Sequence, residues 1–97
     1  MSLSVVILAK NEEESMKSCI KSVSFADEIV VIDDESIDQT VQIAEKSGAR
    51  VIVNKLKDFA SQRNFALTQT HGDWILFLDA DERVTPQLAR EITSVVE

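Results

Sequence analysis

Residues 28–40 read EIVVIDDESIDQT. An unbroken apolar run, Ile29 to Ile32, ends in a pair of acids, and a polar turn then leads into a helical pattern. Apolar runs without alternation mark strands buried on both faces. Ser36 and Gln39 have the spacing of a capping box. Ile37, Val41 and Ala44 recur as the buried stripe of the helix that follows, and Gly48 is its natural stop. A strand, an acidic turn and a helix thus follow one another within a single stretch.

The same unit recurs on both sides. Upstream, residues 3–9 (LSVVILA) form a strand, Asn11 is placed to cap a helix whose first turn holds Glu12, Glu13 and Glu14, and Met16, Cys19, Ile20 and Val23 give that helix its apolar face. Downstream, residues 50–54 form a third strand, a helix over 59–70 is closed by His71 and Gly72, and residues 74–78 (WILFL) form a fourth strand. Thr85 then caps a last helix with Pro86 at its first position and Leu88, Ile92 and Val95 on one face. Four β-α units with no hairpin signal predict a parallel sheet with right-handed crossovers. The expected fold class is α/β, a doubly wound, Rossmann-like half-fold whose ligand lies outside the carboxyl ends of the strands, at the switch point.

With 97 residues the chain is one small domain or part of one, and no linker or repeat divides it. Its 44% apolar and 28% charged content excludes disorder. The apolar runs are too short to span a membrane or to act as a signal peptide, which makes a cytoplasmic or cytoplasm-facing protein the default. Cys19 has no partner for an internal disulfide. A net charge of −7 without a basic cluster argues against nucleic acid. A small phosphorylated ligand would need a cation between itself and the carboxylates.

The carboxyl edge of the expected sheet carries the chemistry. Lys10, Asn11 and Glu12 follow the first strand, Asp33, Asp34, Glu35 and Ser36 the second, and Asp79, Asp81 and Glu82 the fourth. Carboxylates gathered on one edge repel one another unless a cation or a donor-rich ligand relieves them. In extended backbone Asp79 and Asp81 would point the same way and reach one hard cation, Mn or Mg, which keeps positions open for phosphate oxygens and steadies a diphosphate leaving group. The same tripeptide also suits a solvated turn. Asp33 and Asp34 offer acceptors to a base N–H or a ribose hydroxyl, or else serve the turn itself. Cys19 reads as a small buried hydrophobe, His71 as a favourable charge at a helix end, and Trp74 as packing. Residues 9–13 hold no glycine, which excludes the phosphate-cradling loops of nucleotidyltransferases and dinucleotide-dependent oxidoreductases. A receiver domain would need a Lys after a late strand, and none is found.

Four stretches together resemble family 2 glycosyltransferases: LSVVILAKNEEE (3–14), EIVVIDDESIDQT (28–40), FASQRNFAL (59–67) and DWILFLDADE (73–82). They stand in the family's order and cover nearly the whole chain. The resemblance implies a truncated GT-A fold over residues 1–97, with strand order 3-2-1-4 and a nucleotide across the strand ends. It implies that Leu8 to Glu12, including Ala9, Asn11 and Glu12, lie beside the base, that Asp34 accepts from a uracil-type base and that Asp33 supports the turn. It places Arg63 at the diphosphate or as a structural partner steadying the acidic cluster, Asp79 near the ribose and metal, and Asp81 on the metal. The implied donor is a nucleotide-diphosphate sugar such as a UDP-sugar, and the implied reaction is sugar transfer with inversion.

The opening AKNEE and the stretch around Lys57-Asp58-Phe59 resemble bacterial transferases of lipopolysaccharide core assembly, which implies a cell-surface polysaccharide or lipid acceptor and a parent enzyme at the inner face of the membrane. Many members carry a Tyr before the Asn, where this chain has Lys10. Members also continue well past Asp-x-Asp, so the catalytic base and acceptor site are expected beyond the C-terminus, leaving an inactive donor half with uncovered apolar faces prone to self-association. The rival expectation is a non-catalytic assembly module that keeps the fold.

Overall fold

The computed structural model describes residues 2–97. Strands β1 (Leu3–Ala9), β2 (Glu28–Asp33), β3 (Arg50–Val53) and β4 (Trp74–Asp79) alternate with helices α1 (Met16–Ser22), α2 (Thr40–Lys46), α3 (Phe59–Thr68) and α4 (Pro86–Val96). All strand pairs are parallel, and the order is β3-β2-β1-β4, as expected. The chain steps outward from β1 through β2 to β3, then returns past β1 to β4, which puts the switch point between β1 and β4.

Period-two alternation divides the strands between two cores. Leu3, Val5, Ile7 and Ala9 of β1, with Val31 of β2, pack against Met16, Cys19 and Ile20 of α1, Ala44 of α2 and Val96 of α4. Val6 of β1, with Val30 and Ile32 of β2, packs on the other face with Ala66 and Phe65 of α3 and Phe77 of β4. Val5, Val6 and Ile7 are wholly inaccessible to solvent; burial of each such side chain stabilises the fold by about 1.5–3 kcal/mol. The central strand is thus apolar on both sides because it faces helices on both sides.

Helix starts depart from the sequence expectations. Helix α1 begins only at Met16, flanked by Ser15 with no side-chain cap, and Asn11 sits outside it at φ 52°. Helix α2 begins only at Thr40, so Ser36 and Gln39 form no capping box, and Ile37 is 93% exposed instead of joining the buried stripe. The cause is tertiary. Asn11 N–H donates to Ser36 Oγ (2.8 Å), Ile37 N–H to Asn11 Oδ1 (2.8 Å), Glu12 N–H to Thr40 Oγ1 (2.8 Å) and Gln39 N–H to Glu13 Oε2 (2.9 Å). Side chains that could cap their own helices instead satisfy the main chain of the neighbouring turn. Helix α3 is capped by Asp58, whose carboxylate accepts from Ser61 N–H, and α4 by Thr85 with Pro86 at its first position.

The amino edge closes around Glu28. Its carboxylate accepts from Ser4 Oγ (2.6 Å), His71 N–H (3.0 Å) and Arg50 Nη2 (3.3 Å), and Ser4 Oγ in turn accepts from Gly72 N–H (2.8 Å). It is the His71 main chain that this hub uses. A Cβ on Gly72 would lie 2.5 Å from Ser4 Oγ and 2.6 Å from Ser4 N, so only glycine lets the chain enter β4 this close to β1.

Burial pushes the Glu28 carboxyl up, but the bonds from Ser4, His71 and Arg50 outweigh it and hold the group below its ordinary value of 4.5. A carboxylate whose folded value is depressed contributes fully above the unfolded value, and that contribution is lost as pH falls through the folded one. Glu28→Gln is therefore expected to be less stable than wild type at neutral pH, with the gap in melting temperature closing as pH falls below 4.5. A gap that stays constant down to pH values of about 3 would remove Glu28 from the acid response.

Candidate functional site

The alternation that builds the two cores also sorts the acids at the carboxyl edge. Asp33 follows Ile29 and Val31 onto the α1–α2 face, whereas Asp79 follows Ile75 and Phe77 onto the α3 face. Above the α3 face, over the ends of β1, β2 and β4, a half-open cavity of about 320 Å³ is floored by Leu8, Ile32, Leu56 and Phe59. Its rim is polar: Lys10, Glu12 and Asp34 on one side, Asp79 and Asp81 on the other, with Gln62 below. Such a volume, apolar beneath and polar at the rim, suits part of a small ligand. A wider concavity of about 760 Å³ lies at the opposite edge between α1 and α2, rimmed by Lys17, Lys21 and Lys46, away from the switch point.

Residues 79–82 form a turn, closed by Glu82 N–H donating to the Asp79 carbonyl (2.9 Å), while Glu82 Oε1 accepts from Asp79 N–H (2.7 Å). Asp79 and Asp81 therefore share the cavity because the chain turns, not because both lie in one extended strand. Among the described residues neither carboxylate accepts a hydrogen bond or forms an ion pair, and both are exposed. Glu82, by contrast, is spent on the turn.

Asp34 shares its carboxylate between two neighbours. Oδ1 accepts from Leu56 N–H (2.8 Å), which draws the β3–α3 connection over the cavity, and Oδ2 lies 3.7 Å from Lys10 Nζ. Asp33 is 1% exposed; its Oδ2 accepts from Ser36 N–H (2.8 Å) and its Oδ1 from Ser36 Oγ (2.6 Å). Ala9, Glu12, Asp34, Asp79 and Asp81 line the cavity; Asn11, Asp33 and Arg63 do not. Asn11 is occupied with the β2–α2 turn. Arg63, expected at the diphosphate or beside the acidic cluster, holds its guanidinium carbon 5.6 Å from the centroid of the Phe77 ring, a cation–π contact from α3 to β4.

Leu56, Phe59 and Gln62 line the cavity without having been marked by the sequence. Gln62 is 3% exposed and clasps Asn54, accepting from Asn54 Nδ2 (2.7 Å) and donating to the Asn54 carbonyl (2.9 Å). The one local signal was Phe59, an aromatic at a helix start beside the strand ends. Cys19 is buried as expected: burial pushes its thiol up to about 11, which keeps it protonated and non-nucleophilic at neutral pH.

Among the described residues no three acidic, His or Cys side chains form a metal cluster on their own. The donor set still fits a hard divalent cation that is completed by its ligand. Two carboxylates free of protein donors face one cavity, and Mg- or Mn-type ions are commonly held by one or two carboxylates plus substrate phosphates.

Residues 4–96 match the family model described as Glycosyl transferase family 2. An uncharacterized glycosyltransferase of Rickettsia bellii is 44% identical over 91 residues, which cover 93% of this chain and 31% of that protein. The poly(ribitol-phosphate) beta-N-acetylglucosaminyltransferase TarS of Staphylococcus aureus is 31% identical, with all of this chain and 19% of that protein covered. Among solved structures, glucosyl-3-phosphoglycerate synthase from Mycobacterium tuberculosis in complex with Mn2+, UDP and glucosyl-3-phosphoglycerate superimposes with a TM-score of 0.73 at 33% identity, over 81% of this chain and 33% of that one. The chain thus spans about a third of the length of its first-ranking relatives.

The bonds around Asp33 assign it to holding the turn. Asp33→Ala leaves the Ser36 N–H and hydroxyl without their acceptor. The expected cost is about 1–3 kcal/mol in urea denaturation. A variant as stable as wild type would show that the turn does not depend on this carboxylate.

Proposed function

The chain belongs to glycosyl transferase family 2, and from that premise we propose that its cavity binds a nucleotide-diphosphate sugar through a divalent cation held by Asp79 and Asp81. One observation carries the reading: two carboxylates left free of protein donors face an apolar-floored cavity at the switch point of the sheet. The M. tuberculosis synthase of the same fold supports it, having been solved with Mn2+ and UDP.

In this reading the floor of Leu8, Ile32, Leu56 and Phe59 takes the base and ribose, while the acidic turn faces the diphosphate. The cation, when bound, supplies the positive charge that an acidic rim lacks and stabilises the departing diphosphate. The chain's own contributions are to exclude water from the base and to fix the two carboxylates. Asp34 stays at the rim, where its remaining acceptor capacity can meet a base N–H.

The proposal extends to an inverting transfer in which the bond from the anomeric carbon to the diphosphate breaks as an acceptor hydroxyl attacks from the opposite side. We assign the base that takes the hydroxyl proton to residues outside these 97, in keeping with relatives about three times as long. A cell-surface polysaccharide or lipid acceptor is proposed on the likeness to TarS, named for its poly(ribitol-phosphate) acceptor.

Calorimetric titration of the protein with UDP, with and without Mn2+, tests the site. Binding is expected only with the metal, and Asp81→Ala, which removes a direct ligand, is expected to abolish it. No heat of binding under either condition would overturn the donor-site reading for this chain and leave a structural module.

A further inference from the structure

Arg83 follows the acidic turn directly, yet among the described residues it pairs with no carboxylate. Its guanidinium is spent on main chain and hydroxyl. Nη1 donates to the carbonyls of Ala80 (3.0 Å) and Glu82 (2.6 Å), and Nη2 donates to the Ser15 carbonyl (2.9 Å) and Ser18 Oγ (3.1 Å). Two acceptors belong to the turn and two to the start of α1. Two further contacts run in parallel: Val84 N–H donates to Ser22 Oγ (3.1 Å), and Cys19 Sγ lies 3.8 Å from the Asp79 carbonyl.

Besides these contacts, the turn is held by the Asp79–Glu82 pair, by Ala80 N–H donating to the Leu8 carbonyl (3.2 Å), and by burial of Ala80 and Val84 in the core. The start of α1 is itself tied to the other side of the cavity. Ser15 N–H and Met16 N–H donate to the Glu12 carbonyl, and Glu12 N–H donates to Thr40 Oγ1. Arg83 therefore links the rim that carries Asp79 and Asp81 to the rim that carries Glu12.

We propose that Arg83 is a positioning residue that clamps the Asp79–Glu82 turn onto α1, aiming the two carboxylates at the cavity while leaving both unpaired for a cation. The inference rests on the donor-site reading above. Four acceptors around one planar fork suit a guanidinium and not an ammonium, so the role is specific to arginine. A purely electrostatic role predicts the opposite sign: deleting a positive charge beside two carboxylates would strengthen binding of a metal cation.

The test compares wild type, Arg83→Gln, Arg83→Lys and Asp81→Ala. Hydrogen exchange of the metal-free protein is followed together with Mn2+ titration at fixed UDP. The clamp predicts faster exchange confined to residues 79–84 and the start of α1 in Arg83→Gln. It also predicts Mn2+-dependent binding weakened by about 10- to 100-fold, as when a group that orients a metal ligand is lost. Arg83→Lys should recover only part of this. Mn2+ binding that is unchanged or tighter in Arg83→Gln, full recovery in Arg83→Lys, or unaltered exchange at 79–84 would each overturn the clamp.

If Arg83→Gln does not fold, Ser18→Ala decides, because it removes one α1 acceptor. Faster exchange at 79–84 upholds the clamp, and wild-type exchange there overturns it. If wild type shows no Mn2+-dependent binding, the donor-site reading falls and takes this inference with it. If wild type binds, Asp81→Ala does not, and Arg83→Gln binds as wild type, only the clamp falls.

Discussion

A parallel sheet leaves the main-chain N–H groups of its connecting turns without ladder partners, and everything at the carboxyl edge of this protein follows from how they are satisfied. The turn after β1 and the turn after β2 lie side by side, and each supplies side chains to the main chain of the other. Asn11 and Glu13 accept from Ile37 and Gln39; Ser36 and Thr40 accept from Asn11 and Glu12. Thr40 is fully buried and also donates to Asp38. The seam fixes one wall of the cavity through hydrogen bonds within the chain.

The price of that arrangement is a crowd of carboxylates, and the structure divides them into two kinds. Asp33, Asp38, Asp58 and Glu82 each accept from a main-chain N–H of their own turn or helix start. Hydrogen bonds to the charged form stabilise it and offset mutual repulsion. Asp79 and Asp81 receive no such bond among the described residues. Sheet parity explains part of the division, since it sends Asp33 to the α1–α2 face and Asp79 to the α3 face. The remainder comes from Glu82 and Arg83, which meet the needs of the turn and so release its other two acids.

Much of this was legible in the sequence. Unbroken apolar runs such as 29–32 and 74–78, each followed by a helical stripe, were enough to place four parallel strands, and the resemblance to family 2 glycosyltransferases supplied their order. The acidic strand ends marked the functional edge. The starts of α1 and α2 were misread because capping rules consider a residue's own helix, whereas Asn11 and Ser36 had partners some 25 positions away. Arg63 was read from its place in a motif, and its contact with Phe77 depends on the rotation of α3 against the sheet, which no local pattern encodes. Arg83 passed unnoticed for the same reason. Its partners on α1 are 65 and 68 residues away, and an arginine beside three acids invites an ion-pair reading that the geometry does not support.

One uncovered apolar patch lies away from the cavity. Trp74, Leu88 and Val95 remain 42–65% exposed, around a groove at the amino end of β4 lined also by Leu3 and Leu76. The cavity stands at the other end of the same strand, and both of its walls are held by bonds within the chain: the loop seam on the Glu12 side, and Arg83, Ser22 and Cys19 on the Asp81 side. Trp74 of the groove and Asp79 of the cavity stand at opposite ends of β4, with Leu76 between them. The geometry of the cavity is thus a local property of β1, β2 and β4, the turns that follow them, and the start of α3.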